Sequence, residues 1–145
     1  MRNMCLKTIG ILSVLLMLTV VSVCAQSQTK GALTIPFDFI VGQKTLPAGE
    51  YIVEPNRRDF DNVWLIQSKD GHTSALFVGR HVQSSETQEQ NRLVFHKYGD
   101  QYFLSQVWTP GSTTGQEVNM TRTERDLARK AVKRETVAVV LGGRK

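Results

Sequence analysis

Two β-forming runs, Arg92-Leu-Val-Phe-His-Lys-Tyr98 and Gln101-Tyr-Phe-Leu-Ser-Gln-Val-Trp108, flank the pair Gly99-Asp100. A glycine at the first position of a two-residue loop suits a type II′ turn, so these runs predict an antiparallel hairpin. A three-residue loop that includes Gln101 fits almost as well. The two loops give different strand registers, and the sequence leaves both open.

On the N-terminal side of this hairpin, residues 33–41 alternate between apolar and polar or mixed positions. The odd positions are all apolar: Leu33, Ile35, Phe37, Phe39 and Val41. This period of two predicts one strand with a buried face. Pro36 cannot donate a ladder hydrogen bond, so the strand is expected to lie at a sheet edge or to be bulged there.

Further strands are predicted between turn signals. They cover residues 51–54, then 63–67 and 74–78 as a second hairpin around Asp70-Gly71, and finally 136–141. Pro110-Gly111 is expected to end the main sheet region. The pattern predicts a mainly β fold, an antiparallel sandwich or partly open barrel of about six or seven short strands. One C-terminal amphipathic helix accompanies it.

That helix is predicted over Arg122–Arg134. Thr121 and Glu124 form a T-x-x-E capping box, in which each side chain bonds the free backbone N–H of the other residue. Leu127, Ala128, Ala131 and Val132 follow at helical spacing. This narrow apolar stripe is expected to pack against the β domain.

Residues 1–25 have the three parts of a cleavable signal peptide. Arg2 and Lys7 precede an apolar run from Ile9 to Val23, and Val23-Cys24-Ala25 resembles an A-x-A cleavage site. We therefore expect export to the periplasm or the medium, with residues 26–145 as a single β-rich domain. A membrane-spanning helix needs about 20 apolar residues and this run has about 15, so no transmembrane segment is expected after cleavage. Acylation of Cys24 is the alternative, although Val23 stands where lipoprotein signals prefer a small residue.

Cysteine usage and charge narrow the possible functions. The two cysteines, Cys5 and Cys24, lie in the signal, so the mature chain is expected to be free of disulfides and of thiolate chemistry. Residues 121–145 hold eight basic and three acidic side chains, whereas residues 26–120 carry a net charge of −2. Export and the net negative charge of residues 26–120 disfavour nucleic acid as a partner. The chain's basic character belongs to its C-terminal segment.

Several motifs resemble a known family. They are Ile35-Pro36-Phe37-Asp38-Phe39, Leu46-Pro47-Ala48-Gly49-Glu50-Tyr51, the segment from Leu93 to Leu104, and Trp108-Thr109-Pro110-Gly111. Together they resemble a family of small, exported, uncharacterised proteins found mainly in acidobacteria, over most of residues 32–130. The resemblance implies a location in the bacterial envelope or outside the cell. It implies no activity, ligand or catalytic residue.

Signals for chemistry are few. The sequence has no phosphate loop, G-x-S-x-G elbow, H-E-x-x-H or dinucleotide fingerprint. His72, His81 and His96 are far apart, so no metal or cofactor site is predicted. His96 near Tyr98, Asp100 and Tyr102 could form an acid–base cluster, but a hydrogen-bonded strand histidine is the commoner arrangement. Trp64 and Trp108 could line a ligand pocket, but core packing is the commoner role for such residues.

The best candidate for partner binding is therefore the basic helix. Six side chains form the candidate patch for an anionic partner: Arg122, Arg125, Arg129, Lys130, Lys133 and Arg134. We expect a non-catalytic structural or interaction module of the envelope or extracellular space, with an envelope protein or an anionic envelope polymer as partner. The alternative is a carrier of small apolar ligands, or a weak enzyme, with a pocket in the β core.

Overall fold

The computed structural model describes residues 31–56, 62–130 and 132–140. The predicted signal peptide and the last residue of the predicted strand 136–141 lie outside these ranges. Ten strands and one helix are present within them. In chain order these are β1 (Leu33–Ile35), β2 (Phe39–Val41), β3 (Lys44–Leu46), β4 (Gly49–Pro55), β5 (Val63–Ser68), β6 (Ser74–Gln83), β7 (Arg92–Tyr98), β8 (Gln101–Trp108), β9 (Thr114–Val118), α1 (Arg122–Arg129) and β10 (Arg134–Val140).

The strands form an open, mainly antiparallel sheet that folds on itself, which confirms the predicted fold class. The order β1-β4-β5-β6 continues through β9 to β8, and β8 also pairs with β7, which pairs with β10. The N-terminal half of β6 pairs with β5 and its C-terminal half with β9. β2 and β3 lie beside β8, where Ile40 and Phe103 form a parallel bridge.

The space between the two halves of this sheet is filled by apolar side chains. They include Ile35, Phe39, Leu46, Tyr51, Ile66, Phe95 and Leu104, each with 3% or less of its surface exposed. Phe39 meets Tyr51 and Phe95 in edge-to-face contacts, with ring centroids 5.0 and 5.5 Å apart. These T-shaped contacts are the geometry that aromatic rings favour in a packed interior.

The hairpin at residues 92–108 is present, and its register is the two-residue alternative. Tyr98 pairs with Gln101 across Gly99-Asp100, and Gly99 has a φ of 60°, which suits glycine. Leu93 and Phe95 point into the core. Since successive strand residues alternate, Val94, His96 and Tyr98 lie on the opposite, outer face of β7.

The predicted single strand over residues 33–41 is wrong. β1 and β2 are separate strands with different partners, since β1 pairs with β4 whereas β2 pairs with β3 and β8. The predicted alternation is nevertheless present, because Leu33, Ile35, Phe39 and Val41 are all buried. Pro36 lies between the two strands, where the chain leaves the first ladder.

Three further predictions need correction. The sheet region does not end at residue 111, because β9 pairs with both β6 and β8. β3 and β9 bring the number of strands above the six or seven expected. The helix ends at Arg129 rather than Arg134, because residues 134–140 form β10 along the whole length of β7. β-branched residues from Thr136 to Val140 favour a strand over a continued helix.

Candidate functional site

A buried polar cluster joins the outer face of the main hairpin to the helix. The His96 ring lies between two partners: its Nδ1 is 2.8 Å from Glu124 Oε1, and its Nε2 is 3.1 Å from Ser105 Oγ. Ser105 is 6% exposed and Glu124 3%, while the His96 side chain retains 19% of its surface in solvent. A carboxylate only accepts hydrogen bonds, so Nδ1 donates to Glu124. In the neutral imidazole, Nε2 then accepts from the Ser105 hydroxyl.

An irregularity in the hairpin ladder places Ser105 on this face. Leu104 and Val107 both belong to the apolar core although they are three residues apart, which simple alternation forbids. The register shifts here: Val94 pairs with Gln106 but Phe95 with Leu104, so Ser105 is the extra residue of a β-bulge. A bulge redirects a side chain and is frequent beside functional sites.

Glu124 reaches the cluster from the first turn of α1. Its backbone N–H donates to Thr121 Oγ1 at 3.0 Å, which confirms Thr121 as the helix N-cap. The other half of the predicted capping box is different, because the Glu124 carboxylate turns to His96. The predicted apolar stripe is also wrong: Leu127 is only half-buried and Ala128 is exposed, while Ala131 lies outside the described residues. Glu124 is the residue that the helix buries.

Tyr98 adds a hydroxyl group to the same layer. It is two residues from His96 on β7, and its side chain is buried against the Phe103 ring at a centroid distance of 5.9 Å. Burial, together with the negative charge of Glu124, raises the pKa of Tyr98, and nearby Arg134 offsets part of this rise. Within the described residues the hydroxyl has no partner at hydrogen-bonding geometry. Arg134 can only donate to this oxygen, so the Tyr98 O–H has no acceptor among the described residues.

The cluster corrects the sequence-based grouping around His96. Asp100 and Tyr102, which are close in sequence, do not bond the His96 ring. Its partners are Ser105, nine positions away, and Glu124, 28 positions away. The prediction of a hydrogen-bonded strand histidine is confirmed, but its partners were missed. The T-x-x-E motif does single out Glu124, but it predicts that the carboxylate caps the helix. It gives no sign of the bond to His96.

The structure places the six residues of the candidate anionic patch on and just after α1. Arg122, Arg125 and Arg129 are spaced i, i+3 and i+7, so they share one face of the helix, opposite Glu124. We call these three residues the arginine face. Lys130 lies beside this face, Lys133 is near Glu135 at 4.0 Å, and Arg134 opens β10 next to Tyr98. The patch is thus divided between the helix and the following strand.

None of the ion pairs observed within the described part of the chain involves the arginine face. Arg125 Nε donates to the Thr121 carbonyl at 3.4 Å. At a rise of about 1.5 Å per residue, the three arginines cover about 10 Å along the helix axis. They form a row of donors suited to carboxylate or phosphate groups.

The two tryptophans pack against their neighbours. Trp64 is partly buried against the main core, and the Trp108 ring lies over Gly115, so close that a Cβ there would be 2.6 Å from the indole. The described depressions are open to solvent and lie on the exterior. One of about 510 Å³ is lined by residues 86–90 and the end of β10, and one of about 440 Å³ by residues 41–44 and 74–76. One of about 400 Å³ is lined by residues 47–51, 68–70 and 73, and one of about 290 Å³ by residues around the exposed Leu76 and Val78.

Two further features of the described ranges concern metal binding and membrane insertion. No group of three or more histidine, cysteine, aspartate or glutamate side chains there could hold a metal ion. No helix there is long and apolar enough to span a lipid bilayer. The observed chemistry of the described chain is thus concentrated in the Ser105–His96–Glu124 cluster and in the charged face of α1.

Comparison with known proteins adds no further constraint. No protein-family model, curated protein or solved structure matches this chain. The resemblance to small exported acidobacterial proteins therefore stays a prediction, and the site must be interpreted from its own geometry.

Proposed function

We propose that this chain is an exported interaction module of the bacterial envelope or extracellular space, and that it binds an anionic envelope polymer through the arginine face of α1. This binding role needs no catalysis. Export rests on the sequence of residues 1–25. The observation that carries the proposal is the orientation of α1, which buries Glu124 and turns three unpaired arginines toward solvent.

The attachment of the helix favours a binding surface over a merely solvated one. Glu124 holds the first turn of α1 through its 2.8 Å bond to His96. This contact fixes the rotation of the helix about its axis, so the arginine face has a defined direction. A surface whose backbone is already held in place has less conformational freedom to lose when it binds a charged group.

The side chains that flank the arginine face favour a polymer over a lipid bilayer. Thr123, Asp126 and Lys130 are exposed next to it, and none of them would enter hydrocarbon. Helices that bind in a membrane interface instead place Trp, Phe and several Leu beside their basic residues. Phosphate or carboxylate groups on a soluble or wall-linked polymer suit this face better.

The packed interior supports this role over the alternative of an apolar-ligand carrier. A carrier needs a concave apolar pocket, commonly of about 300 Å³ or more. Here the side chains between the sheet halves are closely packed, and the described depressions of comparable volume lie on the exterior. The aromatic residues that might have lined a pocket contact one another instead.

The proposal is tested by titrating the protein, purified after export, with long-chain inorganic polyphosphate at several ionic strengths. We expect binding that weakens as salt is added, because exposed charges are screened. The variant R122Q/R125Q/R129Q should bind about tenfold more weakly, since three exposed charge contacts contribute roughly 0.2–1 kcal/mol each.

A charge-matched control separates this face from general basicity. The variant K44Q/K69Q/K97Q removes the same number of positive charges from strands and turns outside α1. It should retain most of the affinity, and neutral dextran should not bind. Equal loss in both triple variants, or no binding by the unmodified protein, would contradict the proposal.

A further inference from the structure

The Ser105–His96–Glu124 cluster has an arrangement that the binding role does not use. A hydroxyl, an imidazole and a carboxylate follow one another, with Nε2 toward the hydroxyl and Nδ1 toward the carboxylate. This is the order of nucleophile, general base and orienting acid in serine hydrolases, which recurs on unrelated folds and is recognised by geometry. Both distances, 3.1 and 2.8 Å, are within hydrogen-bond reach.

The surroundings of the cluster strengthen these bonds. Ser105 and Glu124 are each more than nine-tenths buried, and hydrogen bonds are stronger where water is excluded. Glu124 holds one tautomer of His96 and would stabilise the imidazolium that forms when Nε2 takes a proton. The exposed part of the His96 ring leaves one side of the cluster open to solvent.

Two features beyond the three residues also fit a reactive site. Ser105 lies at a β-bulge, where the ladder is interrupted and the backbone is re-aimed. Tyr98, on the same face of β7, has a buried hydroxyl without a partner in the described residues. A free O–H donor of this kind can bond the oxygen on which negative charge develops during attack on a carbonyl.

We propose that Ser105 is a nucleophile that accepts the acyl group of a small ester, with His96 as the general base and Glu124 as the residue that positions the imidazole. The limited exposure of Ser105 restricts the substrate to a short acyl chain, such as an acetyl group. This activity goes beyond the proposed binding role, and it differs from the sequence-based expectation of a non-catalytic module.

The proposed reaction is a two-step transfer. Ser105 Oγ forms a bond to the carbonyl carbon while its proton passes to His96 Nε2. The bond to the leaving alkoxide then breaks, and the alkoxide takes that proton and departs as an alcohol. In the second step, water attacks the acyl carbon, gives a proton to Nε2, and releases the acid as the Ser105 hydroxyl recovers its proton. No oxidant or cofactor is needed.

A small alkyl fluorophosphonate tests the nucleophile directly, because it marks an activated serine without requiring turnover. Attack by Ser105 Oγ forms an O–P bond and expels fluoride. We expect intact-mass and peptide measurements on the exported protein to show one adduct, on Ser105. S105A should abolish it, and H96Q should slow its formation about 100-fold or more, the usual contribution of a general base.

Matched variants separate chemistry from folding. S84A changes a loop serine and should label at the unmodified rate. Y98F removes the unpartnered hydroxyl, and should keep its thermal midpoint while labelling more slowly. E124Q keeps an oxygen that can accept from Nδ1 but loses the charge that would stabilise the imidazolium. Its labelling rate should fall, and E124D, which keeps the carboxylate, should recover part of that rate.

The same variants can overturn the proposal. Absence of an adduct on Ser105 in folded protein at large probe excess would do so, as would an equal labelling rate in H96Q. Equal labelling rates in folded E124Q and the unmodified protein would remove Glu124 from its positioning role. In a separate test with a substrate, p-nitrophenyl acetate should acetylate Ser105 and release p-nitrophenol. S105A should release p-nitrophenol only at the background rate.

Discussion

Glu124 illustrates at the scale of one residue how burial changes the role of a side chain. A carboxylate that is 3% exposed is costly to remove from water unless it is hydrogen-bonded. His96 satisfies this requirement, and the result is that a helix-capping residue becomes the attachment of the helix to the sheet. The exposed Asp126, two positions later on the same helix, is solvated by water and does not need such a partner.

Replacing Glu124 with alanine should therefore destabilise the protein. The change leaves a partly buried His96 N–H without its acceptor, and we expect a loss of about 2 kcal/mol in the free energy of unfolding. D126A is the matched control and should cost less than about 0.5 kcal/mol. Urea unfolding followed by tryptophan fluorescence measures both. Equal effects of the two variants would show that Glu124 does not attach the helix.

Strand β9 shows at the scale of an element why sequence periodicity alone misses a strand. Its sequence, Thr114-Gly115-Gln116-Glu117-Val118, has little apolar character, and glycine is unfavourable in strands. Gly115 is required nonetheless, because the Trp108 ring lies directly over its Cα on the neighbouring strand β8. Glycine is needed at this position because two strands approach closely there. The strand propensity of single residues carries no information about such an approach.

A methyl group at Gly115 should disrupt this approach. In G115A the new Cβ would lie 2.6 Å from the indole, and a ring cannot yield as the end of a flexible chain can. We expect a loss of about 2–3 kcal/mol, at the upper end of overpacking costs. G49A is the control, because its Cβ would be at an ordinary 3.6 Å from Tyr51. Calorimetry should show a lower melting temperature for G115A and little change for G49A; the reverse order would contradict this packing.

At the scale of the whole molecule, the sheet supports two layers with different character. The inner layer is apolar and closely packed, while the outer face of β7 and β8 carries the polar cluster attached to α1. Two buried tyrosines make the stability of the folded protein depend on pH. Burial, aided by the charges of Asp70 and Asp38, raises the pKa of Tyr51, and burial with Glu124 raises the pKa of Tyr98.

Stability should consequently fall in alkaline solution. A tyrosine whose folded pKa is raised keeps its proton in the folded state when the unfolded chain has begun to lose it. Its contribution is complete below the unfolded pKa of 10.0 and is lost as pH rises through the folded value. Urea midpoints measured from about pH 8 to 11 should therefore decline, and the decline should be shallower in Y51F/Y98F. The same slope in both proteins would show that other groups control the alkaline limb.

The double variant also separates the two hydroxyl groups at neutral pH. Tyr51 donates to the Pro47 carbonyl at 2.7 Å, whereas the Tyr98 hydroxyl has no partner within the described residues. At neutral pH the cost of the double variant, about 1 kcal/mol, should therefore come from Tyr51. Y98F alone should be neutral, which is why it can serve as a folded variant in the labelling experiment.

Features that depend only on neighbouring residues could be predicted from the amino-acid sequence. Period-two alternation identified the β class, Gly99-Asp100 identified the main hairpin, and Thr121 marked the start of the helix, because turns and caps are chosen by local backbone chemistry. The predicted export signal and the charge of the C-terminal segment are likewise properties of consecutive residues.

The pairing of strands and the contacts between distant side chains depend on the folding of the whole chain. Residues 33–41 were divided between two ladders, and residues 134–140 left the helix to pair with β7. Ser105, His96 and Glu124 came together through a strand register, a bulge and the placement of a helix. Their separations of nine and 28 positions have no signature in a local pattern, because long-range pairing is selected by the total packing of the core.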